Sequence, residues 1–231
     1  MINNENDDAT GTLYIVSTPI GNLKDITLRA LGVLAEVGLI AAEDTRKTKV
    51  LLTHYNITTP ATSYFDFNKE KKLPFLLSKL KSGEKIALVS DAGTPGISDP
   101  AYRLVRGCID ANIRIEAIPG ATAFVPALVM SGLPTDRFVF EGFLPPKKGR
   151  KKRLEELQEE RRTIIFYESP HRLARTLQDL ETYLGDRLCV IARELTKKFE
   201  EVIRKSLSEV NRDLAKIKMK GEFVLLIAGK K

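Results

Sequence analysis

The sequence predicts an α/β fold of two domains with mostly parallel, mixed sheets. Three observations carry this reading. Short apolar runs alternate with segments whose apolar residues recur at a helical period. Several of those runs, 86–89 among them, lack polar alternation, as strands covered on both faces do. The alternation pauses at Pro119-Gly120-Ala121-Thr122-Ala123 and then restarts. The expected division is a flexible tail over 1–10, a first α/β domain over 11–118 and a second over 119–231.

Element by element, residues 1–10 lack hydrophobic periodicity and read as tail. A strand over 13–16 runs into the turn-rich stretch 17–22. Asp25 is then placed to cap a helix on which Ile26, Ala30, Val33, Leu34 and Val37 share a face. A strand over 39–42 leads into Glu43-Asp44-Thr45-Arg46 and a helix over 45–55. Residues 70–81 form a further helix with Pro74 in its first turn. The strand 86–89 ends in the Gly- and Pro-rich loop 90–100, followed by a helix over 100–111 and a strand over 114–117. In the second half, strands are expected at 137–140, 163–166, 188–192, 201–204 and 222–228, with helices at 150–160, 170–184 and 207–217.

Composition bounds the class. With 231 residues, 43% hydrophobic and 29% charged, the chain is neither disordered nor fibrous nor a disulfide miniprotein. Cys108 and Cys189 lie far apart with no CxxC pair, which suits buried thiols in a reducing cytosol. No apolar run approaches the ~20 residues of a membrane helix, and the polar start lacks a signal-peptide core, so a soluble cytoplasmic protein is expected. Lys and Arg outnumber Asp and Glu by 37 to 30, for a net +7. Eight cations against four acids between 147 and 162 supply +4 of that excess, and a dense basic run points to a polyanionic partner.

Neither a G-x-G-x-x-G nor a G-x-x-x-x-G-K-[ST] motif is present, so an ordinary dinucleotide site and a P-loop are unsupported. His54 and His171 stand alone, one per domain, with no metal-ligand spacing. Small-residue loops at carboxyl ends of strands are the positive signal. Residues 91–97, 119–123 and the stretch after Val16 let backbone groups approach a ligand closely, where open α/β sheets bind theirs.

In order, Ser17-Thr18-Pro19-Ile20-Gly21-Asn22, Ser90-Asp91-Ala92-Gly93-Thr94-Pro95 and Ile118-Pro119-Gly120-Ala121-Thr122-Ala123 resemble the tetrapyrrole methylase superfamily. The superfamily's usual Gly-Pro-Gly-Asp stands here as Pro19-Ile20-Gly21-Asn22. Ala42-Glu43-Asp44-Thr45-Arg46, Phe166-Tyr167-Glu168-Ser169-Pro170-His171-Arg172 and Ala192-Arg193-Glu194-Leu195-Thr196-Lys197 resemble its branch of ribosomal RNA small subunit methyltransferases I. The likeness spans residues 11–229. It implies S-adenosylmethionine (AdoMet) in a cleft between two α/β domains, a homodimer, no metal, and 2′-O-methylation of a cytidine in the decoding region of 16S ribosomal RNA. Donor contacts are implied for Pro19 or Ile20, for Asp91, Gly93, Thr94, Ile97, Thr122 and Ala123, and for Tyr167 or Glu168 with Leu195.

A ribose hydroxyl is a poor nucleophile, so a carboxylate in the cleft is the natural base. Glu43, Asp44 and Glu168 each follow a strand and precede a helix; helix capping is the competing role, most of all for Asp44. Arg46 and Arg172 are candidates to grip phosphate, or else to pair with Glu43 and Glu168. Lys147, Lys148, Arg150, Lys151, Lys152 and Arg153 are candidates for the RNA backbone. A tetrapyrrole C-methyltransferase would share the donor loops without a use for this arm, and a non-catalytic RNA-binding assembly factor would keep the arm without needing the loops.

Overall fold

The computed structural model describes residues 10–99 and 101–231. The expected tail, Thr10 apart, and Pro100 lie outside them. The chain divides into two compact units after Thr122.

The first unit runs β1 (Thr12–Val16), α1 (Leu28–Glu36), β2 (Leu39–Ala42), α2 (Thr45–His54), β3 (Ala61–Ser63), α3 (Lys69–Lys81), β4 (Ile86–Val89), α4 (Ala101–Asp110) and β5 (Arg114–Ile118). Its sheet has the order β3-β2-β4-β1-β5, and all four pairings are parallel. Successive strand residues feed opposite cores. Leu13, Ala41, Ile86 and Leu88 pack with Leu76, Leu80 and Leu104 of α3 and α4, whereas Val16, Ile40, Ala42, Ala87 and Val89 pack with Ala30, Leu34, Leu51 and Leu52 of α1 and α2. Burial on both faces is why 86–89 shows no polar alternation.

Three details depart from the sequence reading. Asp25 caps nothing: it closes a short 3₁₀ turn, Leu23–Asp25, and α1 starts later, with the Thr27 hydroxyl accepting the Ala30 N–H at 3.1 Å. The edge strand β3 was not expected, because three half-exposed residues carry no periodic signal. Pro74 lies in the second turn of α3 rather than the first.

The second unit contains α5 (Phe124–Ser131), β6 (Phe138–Phe143), α6 (Arg150–Glu156), β7 (Thr163–Glu168), α7 (Leu173–Leu184), β8 (Leu188–Arg193), β9 (Glu201–Ser206), α8 (Leu207–Arg212) and β10 (Phe223–Ile227). The sheet order is β6-β7-β10-β8-β9. Only β6/β7 is parallel; β10 enters antiparallel between β7 and β8, and β9 folds back on β8. "Mostly parallel" therefore describes the first sheet alone. The link from β8 to β9 is too short to carry a crossover helix, so these strands must pair antiparallel. Helix α5 was not expected either: Phe124-Val125-Pro126-Ala127-Leu128-Val129-Met130 is apolar all round, which hides a helical period, and Gly132 at φ 78° ends it. Leu154, Leu173, Leu177, Leu207 and Val210 cover the β7, β8 and β10 residues Ile164, Phe166, Ile191 and Leu225.

Cys108 and Cys189 are buried, and desolvation pushes both thiols up to about 12. Among the described residues no helix is long and apolar enough to cross a membrane.

Candidate functional site

Parallel register brings the carboxyl ends of β1, β2, β4 and β5 to one edge of the first sheet, where its loops meet. Those loops are stitched to one another. The Thr18 N–H donates to the Gly93 carbonyl at 2.9 Å and the Gly93 N–H returns to the Thr18 carbonyl at 3.0 Å. Ser17 Oγ and Thr94 Oγ1 lie 2.8 Å apart, and Thr94 Oγ1 donates to the Ala121 carbonyl at 3.0 Å. Gly93 adopts φ +84°, with Ile20, Ala121 and Thr122 around the position a Cβ would take. At Gly120 a Cβ would come within 2.7 Å of Ser17 Cβ, so only glycine permits this approach.

Ile20, Gly93, Thr94 and Thr122 are thus together, with Pro19 half-buried beside Ile20 and the Ile97 N–H turning back to the Thr94 carbonyl at 3.3 Å. Ser17, Thr18, Gly120 and Ala121 do the stitching; the sequence marks them as members of the strand-end loops and not as individual donor contacts. Their signal was position, at the ends of β1 and β5.

Asp91 is the polar centre of this edge. Its Oδ2 accepts from Lys47 Nζ at 2.5 Å, while its Oδ1 is buried with no partner. Its backbone N–H donates to Glu43 Oε2 at 3.1 Å. Burial raises the Glu43 carboxyl above its ordinary value, against the lowering effect of that hydrogen bond, and the charges of Asp91 and Asp99 add to the rise.

The other two carboxylates do different work. Asp44 caps α2, accepting the Arg46 N–H at 2.9 Å and the Arg46 guanidinium at 3.0 and 2.7 Å, which holds its carboxyl down at about 2. Arg46 accordingly pairs with Asp44 and not with Glu43. Glu168 is 3% exposed and accepts from the Ser169 N–H at 2.8 Å and Thr176 Oγ1 at 2.5 Å. Arg172 sits 3.5 Å from it and also donates to the Leu144 carbonyl. Glu168 thus sits in a buried hydrogen-bond network, and Arg172, with its side chain 30% exposed, makes the pairing with Glu168 that its sequence position also allowed.

Tyr167, Leu195 and Ala123 belong to the second unit. Tyr167 makes edge contacts with Phe140 and Phe143 at 5.0 and 5.7 Å between ring centres. Leu195 is buried between two strained neighbours, Glu194 at φ 50° and the β-branched Thr196 at φ 66°. Thr196 Oγ1 and Arg193 Nε are buried without partners. Strain of this kind, about 1–3 kcal/mol per residue, collects at functional sites.

The basic run splits in two. Arg150, 4% exposed, turns inward to Asp179 at 2.8 Å and Thr176 at 2.9 Å. Arg153 makes a two-pronged pair with Glu141 at 2.6 Å through each nitrogen. Both are engaged by carboxylates, Arg150 in the interior and Arg153 at the surface with its side chain 42% exposed. Lys147 and Lys148 are exposed, and Lys151 and Lys152 make only solvent-facing contacts with Glu155 and Glu156, at 3.6 and 4.0 Å.

The family model for Tetrapyrrole (Corrin/Porphyrin) Methylases matches residues 12–211. The chain belongs to this family. Within the tetrapyrrole methylases it groups with proteins named ribosomal RNA small subunit methyltransferase I. That of Synechocystis sp. is 56% identical over 221 residues, 95% of this chain and 79% of the relative. That of Thermotoga maritima is 48% identical over 220 residues, 95% of this chain and 99% of the relative. Among solved structures, a diphthine synthase superposes with a TM-score of 0.74 at 14% identity, covering 94% of this chain and 90% of its own. A Thermus thermophilus uroporphyrin-III C-methyl transferase complexed with S-adenyl homocysteine gives 0.65 at 18%, covering 94% and 97%. These last two show the shared fold. Membership makes the chain an AdoMet-dependent methyltransferase. The first unit's loop cluster suits such a donor: it offers glycine-held backbone, small side chains and a buried carboxylate oxygen with nothing to accept from.

Proposed function

We propose that this methyltransferase transfers the methyl group of AdoMet to the ribose 2′-oxygen of a cytidine in the decoding region of 16S ribosomal RNA. The observation that carries the site is the stitched loop cluster around Asp91, whose buried Oδ1 lacks a donor. Pro19, Ile20, Asp91, Gly93, Thr94, Ile97 and Thr122 hold AdoMet from the first unit, with Ala123, Tyr167 and Leu195 from the second. Asp91 Oδ1 accepts from a hydroxyl or ammonium group of the donor. The positive-φ residues Glu194 and Thr196 on either side of Leu195 support a ligand role for that segment.

AdoMet supplies a methyl group on a sulfonium centre, set for in-line displacement. The chain's own work is alignment and proton removal. Holding oxygen, methyl and sulfur in line is worth about 7–11 kcal/mol. Glu43 takes the proton from the ribose hydroxyl. Its raised carboxyl suits it to this, because a base works best with a pKa near the operating pH, and such catalysis contributes roughly 10²–10⁴-fold. Asp44 at about 2 is too weak a base, and Glu168 is committed to Thr176 and Ser169.

The relatives' names supply the substrate, ribosomal RNA of the small subunit. The exposed lysines 147, 148, 151 and 152 fit a phosphate backbone better than a small tetrapyrrole. The setting proposed is the cytoplasm, with the small ribosomal subunit as partner and the chain as a homodimer. Small subunits lacking the modification, incubated with methyl-labelled AdoMet, should take up one methyl group, recovered after alkali as a resistant cytidine-containing dinucleotide. Label on a base, or no label in RNA, would overturn the proposal.

A further inference from the structure

We infer that Phe67 is a stacking platform for a base of the RNA substrate beside the target nucleotide. The inference rests on the RNA reading above and adds a substrate-positioning residue to it. Phe67 is 96% exposed, more than any other large hydrophobic side chain among the described residues. Isolated exposed apolar residues are ordinary, but three features set this one apart.

First, it is held out by construction. The Asn68 side chain accepts the Phe65 N–H at 2.9 Å and donates to the Ser63 carbonyl at 3.2 Å and its hydroxyl at 3.1 Å. The Phe65 carbonyl receives the N–H groups of Asn68 and Lys69 at 3.0 and 2.9 Å. The ring therefore rides on a closed turn, edge-on to Phe65 at 6.2 Å. Second, the turn leaves the carboxyl end of β3, next to β2, and the Tyr64 N–H donates to the Ala42 carbonyl at 2.7 Å. Ala42 directly precedes Glu43, so the turn flanks the proposed base. Third, cations follow it: exposed Lys71, Lys69, which pairs with Asp66 at 2.7 Å, and Lys72, which lies over the Phe75 ring at 5.5 Å. An exposed aromatic on a closed turn beside cations at the edge of a nucleic-acid site stacks unpaired bases while a cation holds the backbone.

The chain contains no tryptophan, so Phe67→Trp introduces a single reporter. Stacking predicts that Phe67→Leu and Phe67→Ala raise the KM for unmodified small subunits roughly 5- to 100-fold, the worth of one base–aromatic stack. The Kd for AdoMet should not move, and Phe67→Tyr and Phe67→Trp should restore KM. The fluorescence of Phe67→Trp should be quenched by subunits. Wild-type KM in Phe67→Leu, or no quenching in Phe67→Trp, overturns the inference, as does a change in oligomeric state without a change in KM. If the wild-type chain itself labels no RNA, the functional reading fails instead, and the two failures are told apart.

Discussion

The Asp91 backbone N–H donates to Glu43 Oε2 across 3.1 Å, and so ties the carboxylate that ends β2 to the loop that ends β4. One bond orients the proposed base, and the same loop contributes Gly93 and Thr94 to the proposed donor site. Base and donor loops are in this way set by neighbouring strands of one parallel sheet.

From that relationship, Glu43→Gln should lower the single-turnover methylation rate by about 10²–10⁴-fold, with donor and subunit Kd values within twofold of wild type. The pH profile carries a sign. Burial raises the Glu43 carboxyl and the deprotonated form is active, so the rate should fall as pH drops through that raised value. The variant should lose this acid limb. A wild-type rate in Glu43→Gln would leave catalysis to alignment alone.

Asp44 should behave as a cap. Its carboxyl is lowered to about 2 in the folded chain, against about 3.9 unfolded. The stability it contributes is present above the unfolded value and lost as pH falls toward 2. Asn caps as well as Asp, so Asp44→Asn should methylate at the wild-type rate, with a Tm less sensitive to pH between 5 and 2. A rate loss on the scale of Glu43→Gln would return Asp44 to the chemical step.

How far the site was legible follows from the kind of signal each residue leaves. The loops 91–97 and 119–123 were legible because glycine and proline at strand ends constrain the backbone locally. Glu43, Asp44 and Glu168 share one sequence signature, each lying between strand and helix, with only the capping role of Asp44 weighing one against the others. Packing separates them fully: Arg46 two residues on claims Asp44, Thr176 on the following helix claims Glu168, and Glu43 alone is left desolvated without a cation in direct contact. The same limit explains Arg150 and Arg153, whose partners Asp179 and Glu141 are distant in sequence. In the fold, β3 and α5 escaped because one is too short and the other too uniformly apolar to show a period.

Gly120→Ala tests the stitching. The added methyl would stand 2.7 Å from Ser17 Cβ, and both neighbours are held by backbone, so the loop must move and strain the Thr94 link to Ala121. Gly93→Val adds a branched side chain at φ +84°, a conformation that costs L-residues about 1–2 kcal/mol. Calorimetry should show AdoMet affinity reduced at least tenfold in both, with the two-unit fold retained by circular dichroism. Wild-type affinity in both would place the donor elsewhere.

The basic run yields a contrast within one segment. Replacing Lys147, Lys148, Lys151 and Lys152 by Ser removes four exposed cations that make no buried contacts. Each cation that neutralises a phosphate releases a counterion, so the slope of log K against log salt for subunit binding should flatten by roughly 3. KM should rise steeply at moderate salt while AdoMet affinity and Tm stay put. Arg150→Ala should do the reverse. It removes a buried guanidinium from Asp179, which keeps Arg175 at 3.8 Å, and one of the two Thr176 partners, losses of charged hydrogen bonds that cost about 1–3 kcal/mol, so Tm should fall with the salt slope unaltered. Equal slopes in the lysine variant and the wild type would make the arm a solvated helix start. A flattened slope in Arg150→Ala would mean that this buried arginine reaches RNA after all.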